Sequence, residues 1–135
     1  MLTANVLAKK AEVPVYTVRH YTNIGLLNPL KREDNGYKIY KQSDITLMRF
    51  ITNAKELGFT LKQISQILDE ADNGKSPCPL VREIIDRRIS ETRQQIKNLK
   101  QLQKKMESAK LMWEEMEDGM PNGHSVCHLI ESFAE

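Results

Sequence analysis

Basic side chains are concentrated in the first half of this 135-residue chain. Up to Lys62 there are ten Lys and Arg residues against five Asp and Glu, whereas the remainder carries ten against thirteen. The formal charge of +2 therefore conceals a basic N-terminal half with a net charge of +5. Such asymmetry is typical of a surface that binds a polyanion, although a solvated basic face would give the same count.

The chain contains two cysteines, whose thiols could bind a metal ion or be oxidised. Cys78 and Cys127 are too few, and too far apart in sequence, to form a disulfide framework, so a reduced, cytosolic compartment is the default expectation. The sequence contains no Ser-His-Asp set, phosphate-binding loop or nucleotide fingerprint. We therefore expect a protein that is not an enzyme.

The composition favours a small folded protein away from membranes. A hydrophobic share of 40% and a charged share of 28% allow a modest core. No apolar run approaches the roughly 18 to 20 residues that cross a bilayer. Residues 1–11 lack the separate apolar segment of a signal peptide. The predicted location is the cytoplasm, without a membrane partner.

The N-terminal pattern predicts a helix-turn-helix with a wing. Helical spacing over residues 3–11 is interrupted by Pro14, and a second helix is predicted over 15–24, closed by Gly25. Asn35-Gly36, the strongest short hairpin signal, separates two short segments that together form a basic wing. Ser43 and Thr60 are predicted to cap helices over residues 44–57 and 61–70.

A long helix is predicted over residues 80–118, where neither glycine nor proline occurs. At about 1.5 Å per residue it would reach roughly 58 Å, too far to pack entirely on the preceding small domain. A coiled-coil dimer is the simplest solution, and a helix folded back on the N-terminal half is the alternative. The apolar stripe that predicts this pairing contains Val81, Ile85, Ile89, Ile96, Leu99, Met106, Ala109, Trp113 and Met116.

Three motifs in order resemble the MerR family of bacterial transcription regulators. They are residues 17–27 (TVRHYTNIGLL), 32–40 (REDNGYKIY) and 58–64 (GFTLKQI), with Lys38 and Gln63 replacing the usual arginine and acid. The resemblance implies an all-α fold with a small β wing, in which a winged helix-turn-helix precedes a long antiparallel coiled-coil helix. The implied domains are a DNA-binding domain (1–75), a dimerisation helix (76–118) and an effector-binding loop with a short terminal helix (119–135).

The resemblance also implies how DNA is bound. The second helix would enter the major groove of promoter DNA, and a homodimer would place two copies on pseudo-palindromic half-sites. Arg19 could bind a guanine or a phosphate, whereas wing residues would contact the backbone. The predicted DNA-binding residues are Tyr16, Thr17, Arg19, Tyr21, Arg32, Gly36, Tyr37 and Lys38. His20 and Tyr40 are expected to pack within the domain.

Family members act on promoters whose spacer is too long for RNA polymerase. Effector binding makes the dimer bend and untwist the DNA, which brings the two promoter elements onto one face. In the metal-sensing branch, a cysteine at the start of the long helix pairs with loop cysteines of the other subunit. Cys78 and Cys127 match those positions, which points to a divalent ion such as zinc, cadmium, lead or mercury.

The metal-site match is incomplete. The family's further cysteine would fall near Trp113, where this chain has none, so His124 or His128 would supplement the two thiolates. Three alternatives stay open: a redox-responsive thiol pair, inert buried cysteines, and an organic effector bound near Trp113, Met112 and Met116.

Overall fold

The structure, a computed structural model, describes residues 1–31 and 36–134. Its elements confirm the predicted helical fold with a small wing and a long C-terminal helix. They are α1 (Ala4–Ala11), α2 (Val15–Asn23), β1 (Leu30–Lys31), β2 (Lys38–Ile39), α3 (Ser43–Glu56), α4 (Leu61–Asp72), α5 (Cys78–Trp113) and α6 (His128–Glu131). The chain divides into two compact units, Met1–Arg88 and Ile89–Glu135.

The core of the first unit joins the helix-turn-helix to the helices that support it. Thr3 caps α1 by accepting a hydrogen bond from the Val6 N–H, and Glu12 ends that helix in the left-handed conformation. Seven fully buried apolar side chains come from α1, α2, the segment after α2, α3, α4 and the start of α5: Leu7, Val18, Leu27, Met48, Ile51, Ile64 and Ile84. The first turns of α5 therefore belong to this core.

The wing is a two-stranded antiparallel sheet. Its register pairs Leu30 with Ile39 and Lys31 with Lys38. The connection is therefore longer than the two-residue turn that the Asn35-Gly36 signal suggests. Gly36 does adopt a positive φ of 73°, whereas Asn35 lies outside the described residues.

The two supporting helices begin differently. Ser43 was expected to cap α3 but is its first helical residue, and the Asp44 carboxylate instead accepts the Lys41 N–H at 3.0 Å. Thr60 caps α4 as predicted. The Gln63 side chain accepts the Thr60 N–H at 3.0 Å and completes a capping box, because an amide oxygen serves this purpose as a carboxylate does.

The second unit contains most of α5, the following loop and α6. The helix ends at Trp113 rather than at residue 118, because a tighter turn follows in which the Met116 N–H donates to the Trp113 carbonyl. The Trp113 indole N–H donates to the Leu129 carbonyl at 2.8 Å and attaches α6 to the end of α5. Among the described residues, no helix is long and apolar enough to cross a membrane.

Candidate DNA interface and effector site

Helix α2 exposes one face and buries the other. Val18 is fully buried and Tyr21 is 8% exposed, so these two side chains hold the helix on the core. Tyr16, 70% exposed, and Arg19 lie three residues apart and share the outward face, with Thr17 half-buried beside them. An exposed cation and an aromatic hydroxyl near the start of a helix are suited to contacts with base edges and phosphates.

The wing and α2 border a common cleft. Its volume is about 390 Å³, and Arg19 from α2 lines it together with Gly36, Tyr37 and Lys38 from the wing. Tyr37 is 70% exposed, and Lys38 is exposed as well. Thus four of the predicted DNA-binding residues meet at one concave, basic surface, although their contacts with DNA stay predictions. Arg32 lies outside the described residues.

The same cleft contains polar residues that sequence reasoning missed. Thr3 and Asn5 at the start of α1, and Asn23 at the end of α2, also line it. The helical spacing over residues 3–11 predicted α1, but only the packing of α1 against α2 brings the start of α1 beside Arg19. Local patterns carry no information on such a meeting of separate helices.

Tyr40 fixes the wing to α2. Its side chain is 1% exposed, as expected for a core residue, and its hydroxyl lies 2.7 Å from Thr22 Oγ1 on α2. Its backbone also exchanges two hydrogen bonds with Leu2, at 2.9 and 2.7 Å. One residue therefore connects the wing, α2 and the N-terminal segment.

The structure tests the prediction for His20 on α2 but not the one for Tyr21. His20 was expected to pack within the domain, but it is exposed. The helical period that turns Val18 and Tyr21 inward turns both positions between them, 19 and 20, outward. The ring centroid of His20 lies 5.3 Å from that of Tyr21. Tyr21 has only a small exposed fraction for DNA, so its predicted backbone contact stays a prediction.

Helix α5 carries exposed apolar side chains along much of its length. Whereas Ile84 is 2% exposed in the core of the first unit, a series beginning at Ile89 is not covered within one chain. The exposed side chains are Ile89, Ile96, Leu99, Leu102, Met106, Leu111 and Met112. This many large apolar groups on one helix is typical of a surface that another helix covers.

The two cysteines are free thiols at the ends of segments. Cys78 is exposed in the first turn of α5, where its N–H donates to Ser76 Oγ at 3.3 Å. Cys127 is half-buried directly before α6. Among the described residues, no group of three or more His, Cys, Asp or Glu side chains is placed to hold a metal ion. The two thiols are soft donors that suit soft metal ions.

The two histidines predicted as supplementary ligands differ in surroundings. His124 is exposed, and its backbone N–H donates to Asn122 Oδ1 at 2.7 Å. His128 is half-buried with its ring against Gly119, where an added Cβ would approach Nδ1. Among the described residues, neither histidine belongs to a group of three or more possible metal ligands, and their role as ligands stays a prediction.

The loop before α6 is organised by one carboxylate that the sequence did not single out as a site residue. Glu131 accepts hydrogen bonds from the Ser125 hydroxyl and from the N–H groups of Val126 and Cys127. The bonds from Ser125 and Val126 are the main reasons that the pKa of Glu131 lies below its usual value, with smaller contributions from Cys127 and the charge of His128.

Comparisons with known proteins agree with this arrangement. Residues 2–71 match the family described as "MerR HTH family regulatory protein", and residues 45–109 match "MerR, DNA binding". A probable heavy metal-dependent transcriptional regulator of Haemophilus influenzae is 33% identical over 74% of this chain and 78% of its own. The mercuric resistance operon regulatory protein of Bacillus cereus is 30% identical over 93% of this chain and 92% of its own.

A solved structure extends the likeness to the full length. The transcription regulator PbrR691 from Ralstonia metallidurans CH34, in complex with lead(II), covers 99% of this chain and 100% of its own, with 25% identity and a TM-score of 0.75. The relatives are DNA-binding regulators, which confirms the expectation that the chain is not an enzyme. With its helix-turn-helix, wing and long helix in place, and with more than half of its residues matching the family, this chain belongs to the MerR family of transcription regulators.

Proposed function

We propose that this regulator binds promoter DNA as a homodimer and responds to a divalent heavy-metal ion held by Cys78 and Cys127. The observation that carries the effector assignment is a pair of free thiols, one opening the long helix and one ending the loop before α6. The regulator would act where promoter DNA lies, so we place it in the bacterial cytoplasm.

The DNA contacts follow from the cleft between α2 and the wing. Arg19 and Tyr16 on the outward face of α2 would meet the major groove, with Thr17 beside them. Lys38 and Tyr37 would bind flanking phosphates, which positions the dimer without reading sequence. Gly36 would let the wing backbone approach the phosphates closely, since it adds no side chain to the cleft.

A charge-matched pair of variants tests this interface. Arg19→Ala should abolish specific binding to a duplex selected from random-sequence DNA by the wild-type protein, whereas Arg82→Ala, on exposed α5, should not. Both variants lose one positive charge, so the comparison separates the assigned contact from general electrostatics. Retention of specific binding by the dimeric Arg19→Ala variant would show that the recognition face is wrongly assigned.

The homodimer is supported by the exposed apolar side chains of α5. A second α5 that covers Leu99, Met106 and their neighbours would remove them from water. This burial would stabilise the dimer by about 25 cal/mol per Å² of apolar surface. We propose that the two helices pair antiparallel, as the family resemblance implies. In that arrangement Cys78 of one subunit would approach the loop of the other.

The donor set suits a thiophilic divalent ion. Thiolates select zinc, cadmium, lead or mercury over hard cations, and imidazoles are further ligands for the zinc-like ions. Cys78 and Cys127 would hold the ion, with His124 or His128 as a supplement. The absence of a three-ligand group among the described residues agrees with a site that a second subunit completes. Two relatives whose names specify mercury or heavy metals support the same class of effector.

Once bound, the ion would bias the dimer between two states. We propose that the metal-bound state distorts the promoter so that RNA polymerase engages both promoter elements. A bend of this kind requires deformation energies of order 1–6 kcal/mol, which a tightly held metal ion can supply through a difference in affinity between the states.

An anaerobic titration of the reduced protein tests the effector. Zinc, cadmium, lead and mercury would be added to the wild type, Cys78→Ser and Cys127→Ser, while thiolate–metal absorption and stoichiometry are measured. Saturable binding that both substitutions abolish is the expected result. Binding that ignores both cysteines would exclude this site.

The second candidate is an organic effector. It is favoured by an apolar pocket of about 400 Å³ beside Trp113, lined also by Met106, Ile130 and Phe133. The titration separates the two candidates, since an organic-effector regulator would show no thiolate–metal absorption. An oxidant-responsive thiol pair would instead lose its free thiols when peroxide is added to the reduced, metal-free protein in a separate experiment.

A further inference from the structure

The Glu131 carboxylate is the centre of the loop that carries Cys127. Its two oxygens accept three hydrogen bonds: from Ser125 Oγ, from the Val126 N–H at 2.8 Å and from the Cys127 N–H at 3.3 Å. All three donors lie four to six residues before the acceptor, so one side chain closes the whole segment 125–131 into a ring. Bonds to an ionised carboxylate are stronger than those between neutral groups.

Helix α6 needs such support because it has only four residues. Isolated helices shorter than about 12 to 15 residues are marginal in water, so contacts made by its side chains and neighbours must hold it. The bond from the Trp113 indole N–H to the Leu129 carbonyl supplies one attachment, and Glu131 supplies the other. Together they form a continuous path from the end of α5, through α6, to the backbone of Cys127.

We propose that Glu131 is a positioning residue for Cys127, holding its backbone so that the thiol is set for the effector before any ion arrives. This inference rests on the proposed function for its purpose, but the hydrogen bonds that carry it are independent of metal. A pre-ordered ligand loop loses less conformational entropy on binding, which strengthens metal affinity. Glu131 acts through Cys127 and is not itself assigned as a ligand.

The substitution Glu131→Gln should weaken this contact while preserving the size of the side chain. An amide has a single acceptor oxygen, and its NH₂ group would face one of the donors that a carboxylate accepts. If the amide oxygen keeps the Val126 and Cys127 N–H groups, the NH₂ group faces Ser125 Oγ, which can accept instead of donate, so the loss is of the ionised acceptor that strengthens all three bonds. A matched control is Glu107→Gln, which removes the same charge at an exposed position on α5. Ser125→Ala removes only the hydroxyl donor and keeps the carboxylate.

Thiol reactivity in the metal-free, reduced protein gives the first measurement. Alkylation of each cysteine would be followed by mass spectrometry of the two peptides, with Cys78 as the internal reference. Because Cys127 is half-buried, we expect Glu131→Gln to raise the alkylation rate of Cys127 on the order of fivefold, and Ser125→Ala to raise it less. The alkylation rate of Cys78 should not change in these variants, and Glu107→Gln should leave both rates at their wild-type values. Unchanged Cys127 reactivity in Glu131→Gln, or an equal rise at both cysteines, would overturn the proposal.

Cadmium affinity, measured by competition with a chelator, gives the second measurement. Glu131→Gln should bind cadmium about fivefold more weakly than the wild type, whereas Glu107→Gln should bind it with wild-type affinity. Both variants should bind the selected duplex as the wild type does. Weaker cadmium binding without any change in Cys127 alkylation would overturn the positioning role, since it would make Glu131 a direct ligand. If the wild type binds no metal, the proposed function fails, but the alkylation rates still decide whether Glu131 holds Cys127.

Discussion

Replacing Tyr40 with phenylalanine tests whether one buried hydroxyl joins the wing to the recognition helix. The Thr22 hydroxyl has a single proton, which it donates to the Val18 carbonyl at 2.8 Å. Tyr40 must therefore be the donor in its 2.7 Å bond to Thr22. Tyr40→Phe removes that donor from a side chain that is 1% exposed, without leaving a cavity larger than one oxygen atom.

The expected loss of stability is about 0.5 to 1.5 kcal/mol, the usual net contribution of one intramolecular hydrogen bond. The fold should persist, because the two backbone bonds between Tyr40 and Leu2 do not involve the hydroxyl. Since the bond holds the wing against α2, affinity for the selected duplex should also fall. The decrease should be at most about tenfold, the value reached if the whole loss of free energy appears in DNA binding.

Urea unfolding at one fixed protein concentration measures the change, because the stability of a dimer depends on concentration. Tyr16→Phe is the control, since the Tyr16 side chain is largely exposed and removal of its hydroxyl should change stability by no more than about 0.5 kcal/mol. If Tyr40→Phe is as stable as the wild type, or if Tyr16→Phe loses as much, the hydroxyl does not hold the wing.

Three further predictions concern the helix ends and the core. Gly25 and Gly58 have φ values of 87° and 88°, so Gly→Ala at either should cost about 1 to 2 kcal/mol. Gly58→Ala should cost more, because its Cβ would lie 3.1 Å from Arg88 Nη2 whereas that of Gly25 meets nothing within 4 Å; equal shifts in thermal unfolding would contradict this. Thr60→Ala removes half of a capping box and should cost about 1 kcal/mol in urea unfolding, while Thr46→Ala on the exposed side of α3 should cost less. Ile64→Ala in the fully buried core should cost about 2 to 5 kcal/mol by the same method, and a loss below 1 kcal/mol would show that this site repacks.

Local signals predicted much of the DNA-binding unit. Pro14 and Gly25 marked the bounds of α2 within one residue, and Thr60 marked the start of α4, because caps and prolines act on adjacent backbone. The burial of Tyr40 was also expected. The family resemblance, rather than periodicity, supplied the roles of these elements.

Contacts between distant segments could not be predicted in this way. The long helix was expected to be too long to pack entirely on the preceding domain, but its sequence did not show that Ile84 enters the core of that domain. His20 was assigned to the wrong face, since its neighbours Val18 and Tyr21 occupy the inward positions. Glu131 was overlooked as a site residue because its three partners become visible only when the loop is folded.

Mixed dimers provide the most direct test of the central claim, that Cys78 of one subunit and Cys127 of the other hold the metal. A dimer of one Cys78→Ser chain and one Cys127→Ser chain would keep one complete pair of thiols if the site spans subunits, and none if it lies within a chain. The account predicts one tightly bound cadmium per such dimer, and none in a dimer of one wild-type and one doubly substituted chain. The reverse pattern, or equal binding by both mixed dimers, would contradict it.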